Sequence, residues 1–122
     1  MAWGFKSDRS IYSQLIDHIE MSIISGERPP GTKLASVREL ASQASVNPNT
    51  MQRALTELER LGLVYTQRTN GRFITQDFNV IENARSNFAK EHVGDFLNRM
   101  QRLGLNKAQI MELIEKFYKE DL

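Results

Sequence analysis

The segment that decides the fold is Asn47-Pro-Asn-Thr-Met-Gln-Arg-Ala-Leu55, with an apolar continuation that ends at Gly62. Asparagine is strongly preferred just before a helix, and proline suits the first helical position because no N–H donor is needed there. The apolar side chains that follow recur at helical spacing on one face, at Met51, Ala54, Leu55, Leu58 and Leu61. The segment therefore predicts an amphipathic helix with a sharply defined start.

Two further helices are predicted upstream of this segment. The first covers residues 11–24 and is followed by a turn that contains two consecutive prolines. Ser36 begins the second, and Glu39 follows it at the spacing of a capping box. Because only Ser45 and Val46 separate the end of that helix from Asn47, a tight turn must join the second and third helices.

A short β-hairpin is predicted downstream of the third helix. Two strand-like runs, residues 63–67 and 72–76, lie on either side of Asn70-Gly71. Asn-Gly is the strongest short sequence signal for a hairpin turn. Residues 77–79 are predicted to be a linker.

The end of the chain is predicted to be a helical hairpin over residues 80–103 and 107–120. Gly94 weakens the first of these two helices, since glycine is a poor helix former. The expected fold class is therefore mainly α with a small β-hairpin. Residues 1–76 would form a winged helix-turn-helix, and residues 77–122 a two-helix dimerisation hairpin.

The composition restricts the functional classes. Sixteen Lys and Arg oppose 15 Asp and Glu, a formal charge of +1, so any basic surface must be local. The absence of cysteine excludes a disulfide framework, a thiolate nucleophile and a cysteine zinc site. With two histidines on different predicted helices and no phosphate loop, we expect no metal, no cofactor and no enzymatic activity. Short apolar runs and a polar N-terminus predict a cytoplasmic protein without membrane contact.

The outer face of the third helix carries groups suited to nucleic acid. Once the apolar face is assigned to the core, the polar side chains left near the helix start are Asn49, Thr50, Gln52 and Arg53. Amides, hydroxyls and guanidinium groups donate hydrogen bonds to phosphates and base edges. Glu57 and Glu59 near the other end would repel phosphate. We therefore expect this helix to enter a DNA groove by its first two turns.

The predicted hairpin carries a local excess of positive charge. Residues 60–76 contain three arginines and no carboxylate, and Arg68 and Arg72 lie on either side of Asn70-Gly71. Arginine beside a glycine that permits close backbone approach suits a minor groove or flanking phosphates. Arg68 and Arg72 are therefore candidate DNA contacts.

These residues resemble the GntR family of bacterial transcriptional regulators. The resemblance is carried by Gly31-Thr-Lys-Leu-Ala-Ser-Val-Arg-Glu-Leu-Ala41, Val46-Asn-Pro-Asn-Thr-Met-Gln-Arg-Ala-Leu55 and Glu57-Leu-Glu-Arg-Leu-Gly-Leu-Val64. The opening Ser10-Ile-Tyr-Ser-Gln-Leu15 is similar to the YtrA-type subfamily, in which two C-terminal helices replace a larger effector domain. The resemblance implies a DNA-binding regulator.

The resemblance also implies which residues contact DNA: Arg38, Asn47, Asn49, Thr50, Gln52, Arg53 and the wing glycine Gly71. Ser36, which belongs to the same motif as Arg38, completes the candidate set. Two departures from the family pattern matter. Leu34-Ala35-Ser36 stands where the family usually has Leu-Pro-Ser, and Gln52 stands where many relatives have arginine. The base preference of those relatives therefore does not carry over.

The C-terminal helices are predicted to form a homodimer, because two helices alone bury too little surface to be stable. The candidate interface residues are Phe88, Phe96, Met100, Ile110, Ile114 and Phe117. A two-fold dimer would place two recognition helices about one DNA turn apart, or a multiple of it, to bind an inverted repeat. A small-molecule effector, if one exists, would bind at the dimer interface or beside the DNA-binding part.

The sequence thus predicts a homodimeric regulator, expected to be a repressor that occupies a palindromic operator in double-stranded DNA. The alternative is a protein-interaction module that uses the winged-helix surface for a partner other than DNA. Salt-sensitive, sequence-selective DNA binding would separate the two.

Overall fold

The computed structural model describes residues 3–7 and 9–120, and within them it contains five helices and a two-stranded hairpin. The elements run in the order α1 (Ile11–Ile24), α2 (Val37–Ala44), α3 (Pro48–Arg60), β1 (Val64–Gln67), β2 (Gly71–Ile74), α4 (Phe78–Arg102) and α5 (Lys107–Glu120). This order is that of a winged helix-turn-helix followed by two C-terminal helices. The predicted fold class is confirmed.

The core of the N-terminal part lies where α1, α2 and α3 meet under the hairpin. Its fully buried side chains are Leu15, Ile19, Leu40, Met51, Ala54, Leu55, Leu58 and Leu63. Burying an aliphatic side chain of this size stabilises a fold by about 1.5–3 kcal/mol. The apolar face predicted for the third helix is thus the face that packs, except at Leu61, which lies just after the helix end and is exposed. The opposite face of α3 remains available.

The starts of α2 and α3 are fixed by side-chain caps. The Ser36 hydroxyl accepts a hydrogen bond from the Glu39 amide at 3.1 Å, and the Asn47 side-chain oxygen accepts one from the Asn49 amide at 2.7 Å. Between the two helices Ser45 adopts a left-handed conformation with φ 58°. Ser45 therefore ends α2 and begins the tight turn into α3.

The hairpin of β1 and β2, which we call the wing, is antiparallel and pairs Val64 with Ile74 through Gln67 with Gly71. Residues 68–70 form its turn, so β2 begins and ends earlier than predicted. A third segment, which the sequence did not predict, lies beside β2. The amides of Gly31 and Leu34 donate to the carbonyls of Ile74 and Arg72, both at 2.9 Å.

The predicted linker at residues 77–79 is wrong, because α4 already begins at Phe78. The Asp77 carboxylate accepts hydrogen bonds from the amides of Asn79 at 3.0 Å and Val80 at 3.4 Å. Asp77 therefore caps the helix. The sequence did not predict this cap, because residues 77–79 show no apolar side chains at helical spacing. Gly94 does not interrupt α4.

Replacing Asp77 by alanine is expected to lower the free energy of unfolding by about 1 kcal/mol, because two amides at the start of α4 lose their acceptor. Asp77→Asn is the matched control, since asparagine caps helices as well as aspartate does. Chemical denaturation of both variants measures the difference. Equal stability of the alanine variant and the wild-type chain would contradict this role for Asp77.

The chain divides into two compact units, one that extends to Arg85 and one from Ser86 onward. The first turns of α4 belong to the first unit. Ile81 is buried there, and the Arg85 guanidinium donates to the Ile24 carbonyl at the end of α1 at 2.9 Å. The boundary predicted between residues 76 and 77 therefore separates the two proposed functions. The two compact units meet instead between Arg85 and Ser86.

An N-terminal arm that includes Trp3 and Phe5 packs on α1. The Trp3 ring stacks on the His18 ring with centroids 4.1 Å apart, and Phe5 meets Trp3 edge-on at 6.1 Å. Desolvation lowers the pKa of His18, the positive charge of Arg28 lowers it further, and Glu27 acts in the opposite direction. The folded chain therefore favours neutral His18.

A pH dependence of stability follows from this shift. Below the ordinary histidine pKa of about 6.5 the unfolded chain takes up a proton that the folded chain resists. The free energy of unfolding is therefore expected to fall as the pH drops from 6.5 through the lowered pKa of folded His18, and His18 contributes no pH dependence above that range. Denaturation at pH 7.5 and 5.5 should show a smaller decrease for His18→Gln than for the wild-type chain. The same decrease in both would contradict the prediction.

Candidate DNA-binding surface

The outer face of α3 presents the polar side chains that the sequence placed there. Asn49, Gln52 and Arg53 are exposed and Thr50 is half-buried, whereas Met51 on the opposite side is fully buried. A helix N-terminus also carries free N–H groups and a partial positive charge that favour phosphate. This end of α3 can therefore donate hydrogen bonds to a nucleic acid.

Asn47 has a structural role at the same helix end. Its side-chain oxygen is occupied by the Asn49 amide, so the oxygen serves as the N-cap. The side-chain NH₂ group of a capping asparagine can still donate outward. Asn47 can therefore fix the start of α3 and contact DNA with different atoms of one side chain.

Arg53 is held in place by an aromatic ring from α1. Its guanidinium carbon lies 4.6 Å from the centroid of the Tyr12 ring. A guanidinium over an aromatic face is stabilised by the ring quadrupole and keeps its N–H groups free at the edge. Sequence reasoning used Tyr12 only as part of the family resemblance and missed this contact, because nothing in the spacing relates the first helix to the third.

The start of α2 contributes Ser36 and Arg38. The Ser36 hydroxyl caps α2 through its bond from Glu39, while Arg38 is exposed. Among residues 3–7 and 9–120, Arg38 has no hydrogen bond or ion pair with another side chain. Its charge is therefore available to a ligand outside the chain.

A groove of about 640 Å³ lies between the start of α2 and the wing. Ser36, Asn70 and Gly71 line it together with Lys33, from the segment that pairs with β2. Gly71 has φ +98°, and a Cβ there would lie 3.1 Å from the Lys33 Cε. Lys33 was not among the predicted site residues, because its approach to the wing depends on the unpredicted third segment.

The two wing arginines differ in their surroundings. Arg68 lies in the turn and is exposed. Arg72 points back towards α3, where its Nε donates to a Glu59 carboxylate oxygen at 3.2 Å. Arg68 is therefore exposed at the turn of the wing, whereas Arg72, which also lines the groove between α2 and the wing, has its Nε already paired with Glu59.

The carboxylates in the second half of α3 are also paired. Arg60 donates to Glu57 through two bonds, at 2.7 and 2.6 Å. Its hydrogen bond lowers the pKa of the Glu57 carboxyl and raises the pKa of Arg60. Glu57 therefore stays ionised, which leaves the first half of α3 as the half suited to a polyanion.

The predicted dimerisation residues lie in the second unit. Phe117 and Phe96 are exposed, with 58% and 39% of their surface accessible, and Phe88, Met100 and Ile114 are half-buried. Ile110 differs, because it is already buried within one chain. Ile110 would therefore support a dimer indirectly, by stabilising the packing within the second unit of its own chain.

The described part of the chain holds no cluster of three metal-ligating side chains. None of its helices is long and apolar enough to span a lipid bilayer. The polar groups described above can bind a ligand through hydrogen bonds and charge. A winged helix-turn-helix with such groups at the start of its third helix is the architecture of a DNA-binding protein.

Comparison with known proteins agrees with this class. Residues 11–74 match the profile of the bacterial regulatory proteins of the gntR family. The chain is 41% identical over 113 residues to the uncharacterized HTH-type transcriptional regulator YhcF of Bacillus subtilis, covering 93% of each chain. It is 42% identical over 72 residues to the transcriptional repressor YtrA of the same organism, covering 59% of this chain and 55% of YtrA. The chain belongs to the GntR family.

Solved structures extend the comparison to three dimensions. A GntR family transcriptional regulator from Listeria monocytogenes superposes with a TM-score of 0.84 at 39% identity, covering 92% of this chain and 98% of that chain. The DNA-binding domain of AraR in complex with operator ORR3 matches with a TM-score of 0.50 at 30% identity, over 52% of this chain and 77% of that chain. The predicted class, a DNA-binding transcriptional regulator that is not an enzyme, is confirmed.

Proposed function

We propose that the chain is a homodimeric transcriptional repressor that binds an inverted-repeat operator. In this proposal α3 enters the major groove, and the wing contacts the adjacent minor groove or its phosphates. The observation that carries the proposal is the exposed start of α3, where Asn49, Gln52 and Arg53 face outward from a helix whose other face is fully buried. The similarity to the repressor YtrA supports the repressor role.

The proposed contacts fall into three groups by position. The recognition helix and its cap contribute side chains that can reach base edges and phosphates: Asn47, Asn49, Thr50, Gln52 and Arg53. The start of α2 contributes Ser36 and Arg38, and the wing contributes Arg68 and Gly71. The operator-bound structure of the AraR DNA-binding domain, which resembles this part of the chain, supports a DNA ligand for this surface.

The homodimer is proposed from the surface of the second unit. Its exposed large apolar side chains are Val93, Phe96, Leu97, Leu103, Met111, Leu113, Phe117 and Tyr118. Among the described residues from 86 onward, Ile110 is the one apolar side chain that is buried. Units below about 40 residues rarely bury enough surface to be stable alone. A second copy of the same two helices would cover these side chains by a symmetric interface.

A repressor of this kind acts by occupying DNA near a promoter, so we place the protein in the bacterial cytoplasm with its operator. An effector would act by changing the separation of the two α3 helices and thus the fit to the two half-sites.

The proposal is tested by selecting duplexes from a random DNA pool with the full chain. An inverted repeat is expected, with half-site centres about 10 base pairs or a multiple apart. Binding of the selected duplex should weaken steeply as the salt concentration rises, and sedimentation should give twice the 14.0 kDa chain mass at micromolar protein. A pool without enrichment would contradict the DNA readout, and a single-chain mass would contradict the dimer.

A further inference from the structure

We propose that Glu59 and Arg72 are positioning residues that set the wing relative to the recognition helix, and that Arg72 does not contact DNA. The inference rests on the proposed function, since it concerns how the same DNA-binding surface is held together. Glu59 then has a structural role in addition to being a charge that repels phosphate.

The geometry connects one carboxylate to both strands of the wing. The Arg72 Nε on β2 donates to a Glu59 oxygen at 3.2 Å, and the Thr66 hydroxyl on β1 donates to the same oxygen. Thr66 and Arg72 are directly opposite each other in the strand pairing. A single side chain of α3 therefore fastens the two strands at one cross-strand pair.

The pair is partly withdrawn from water. The Arg72 side chain is 22% exposed and the Glu59 side chain 32% exposed. The neighbouring Arg68 is exposed and has no such partner among the described residues. Moving Arg72 wholly to a phosphate would leave the Thr66 hydroxyl as the remaining described donor to the Glu59 carboxylate, beside a polyanion, which is unfavourable. The structure therefore favours Arg68, rather than Arg72, as the charge that the wing offers to DNA.

A fixed wing matters because α3 and the wing contact different parts of the duplex. If the angle between α3 and the wing varied, DNA binding would have to order the wing. The loss of conformational entropy would then weaken the affinity for DNA. The contacts of Glu59 with Thr66 and Arg72 restrict the position of the wing already in the free protein.

The test measures the affinity of the full-length protein for its selected duplex in Glu59→Gln, in Arg72→Met and in the double variant. Glu57→Gln is the matched control, because it also removes one carboxylate from α3 but one that pairs with Arg60. Relative to that control, Glu59→Gln is expected to weaken binding by about two- to fivefold. Arg72→Met should weaken binding by a similar factor relative to wild type, and the double variant by no more than either single change.

Hydrogen exchange of the free protein gives a second readout that is independent of DNA. Exchange at residues 67–73 should rise in Glu59→Gln and Arg72→Met and stay unchanged in Glu57→Gln, while the unfolding midpoint of all variants stays close to that of wild type.

If Arg72 instead contacts phosphate directly, Glu59 competes for it, and Glu59→Gln should bind as tightly as Glu57→Gln or more tightly while Arg72→Met weakens. That result, or unchanged wing exchange in both variants, would overturn the inference. Failure of the wild-type chain to bind a selected duplex would refute the proposed function itself, whereas the exchange experiment would still decide the role of Glu59.

Discussion

Replacing Arg53 by alanine is expected to weaken operator binding by about 1–3 kcal/mol, the range for an arginine that contacts bases or desolvated phosphate. Arg53 lies on the outer face of α3, and the Tyr12 ring holds its guanidinium with the ring centroid 4.6 Å away. Because the side chain is already oriented, little conformational entropy is lost when it meets DNA. Equilibrium titration of the selected duplex measures the effect.

The matched control is Arg60→Ala, which removes an arginine from the other end of the same helix. Arg60 is engaged with Glu57, so its loss should change affinity far less than the loss of Arg53. Arg38→Ala is expected to weaken binding by about 1–3 kcal/mol as well, since its exposed charge lies on the second helix of the motif. Unchanged binding in both Arg53→Ala and Arg38→Ala would refute the proposed placement of the DNA-binding surface.

Introducing a charge at Phe117 is expected to convert the protein to a monomer. Phe117 is 58% exposed in a single chain and lines an apolar groove with Phe96, Met100 and Leu113. Burying an aspartate there against a second copy would leave an unpaired charge in an apolar interface. Phe117→Asp should therefore sediment as a single chain, and its affinity for a two-half-site operator should fall by about 100-fold or more, because the second half-site is no longer linked.

Lys119→Asp is the control for this variant. Lys119 is on the same helix but does not line that apolar groove. It should remain a dimer with an affinity much closer to wild type. A Phe117→Asp protein that stays dimeric at micromolar concentration would show that α5 does not form the interface in the way proposed.

The sequence was sufficient for features that depend on neighbours along the chain. Ser36 and Asn47 are helix caps because their own side chains reach amides two or three residues away, and such local chemistry is visible in the sequence. The buried face of α3 followed equally from helical spacing. For the same reason the residues on its outer face could be named before the fold was known.

Features that depend on distant residues were not predictable in this way. The pairing of Gly31 and Leu34 with β2 and the stacking of Arg53 on Tyr12 join segments that are far apart in sequence. The orientation of Arg72 is another such case. The sequence predicts that Arg72 lies with Arg68 at the exposed end of the hairpin. In the structure Arg72 lies opposite Thr66 in the strand pairing, and its side chain is directed towards Glu59 on α3.

In the proposed complex, the start of α3 lies inside a groove of duplex DNA in both subunits. A photo-crosslinking amino acid at position 52, in place of Gln52, tests it directly on the selected operator, with the same residue at the exposed Gln43 of α2 as the control. We expect crosslinks from position 52 to bases at two symmetric places, one in each half-site, and none to bases from position 43. Crosslinks to bases from position 43 with none from position 52 would contradict the claim.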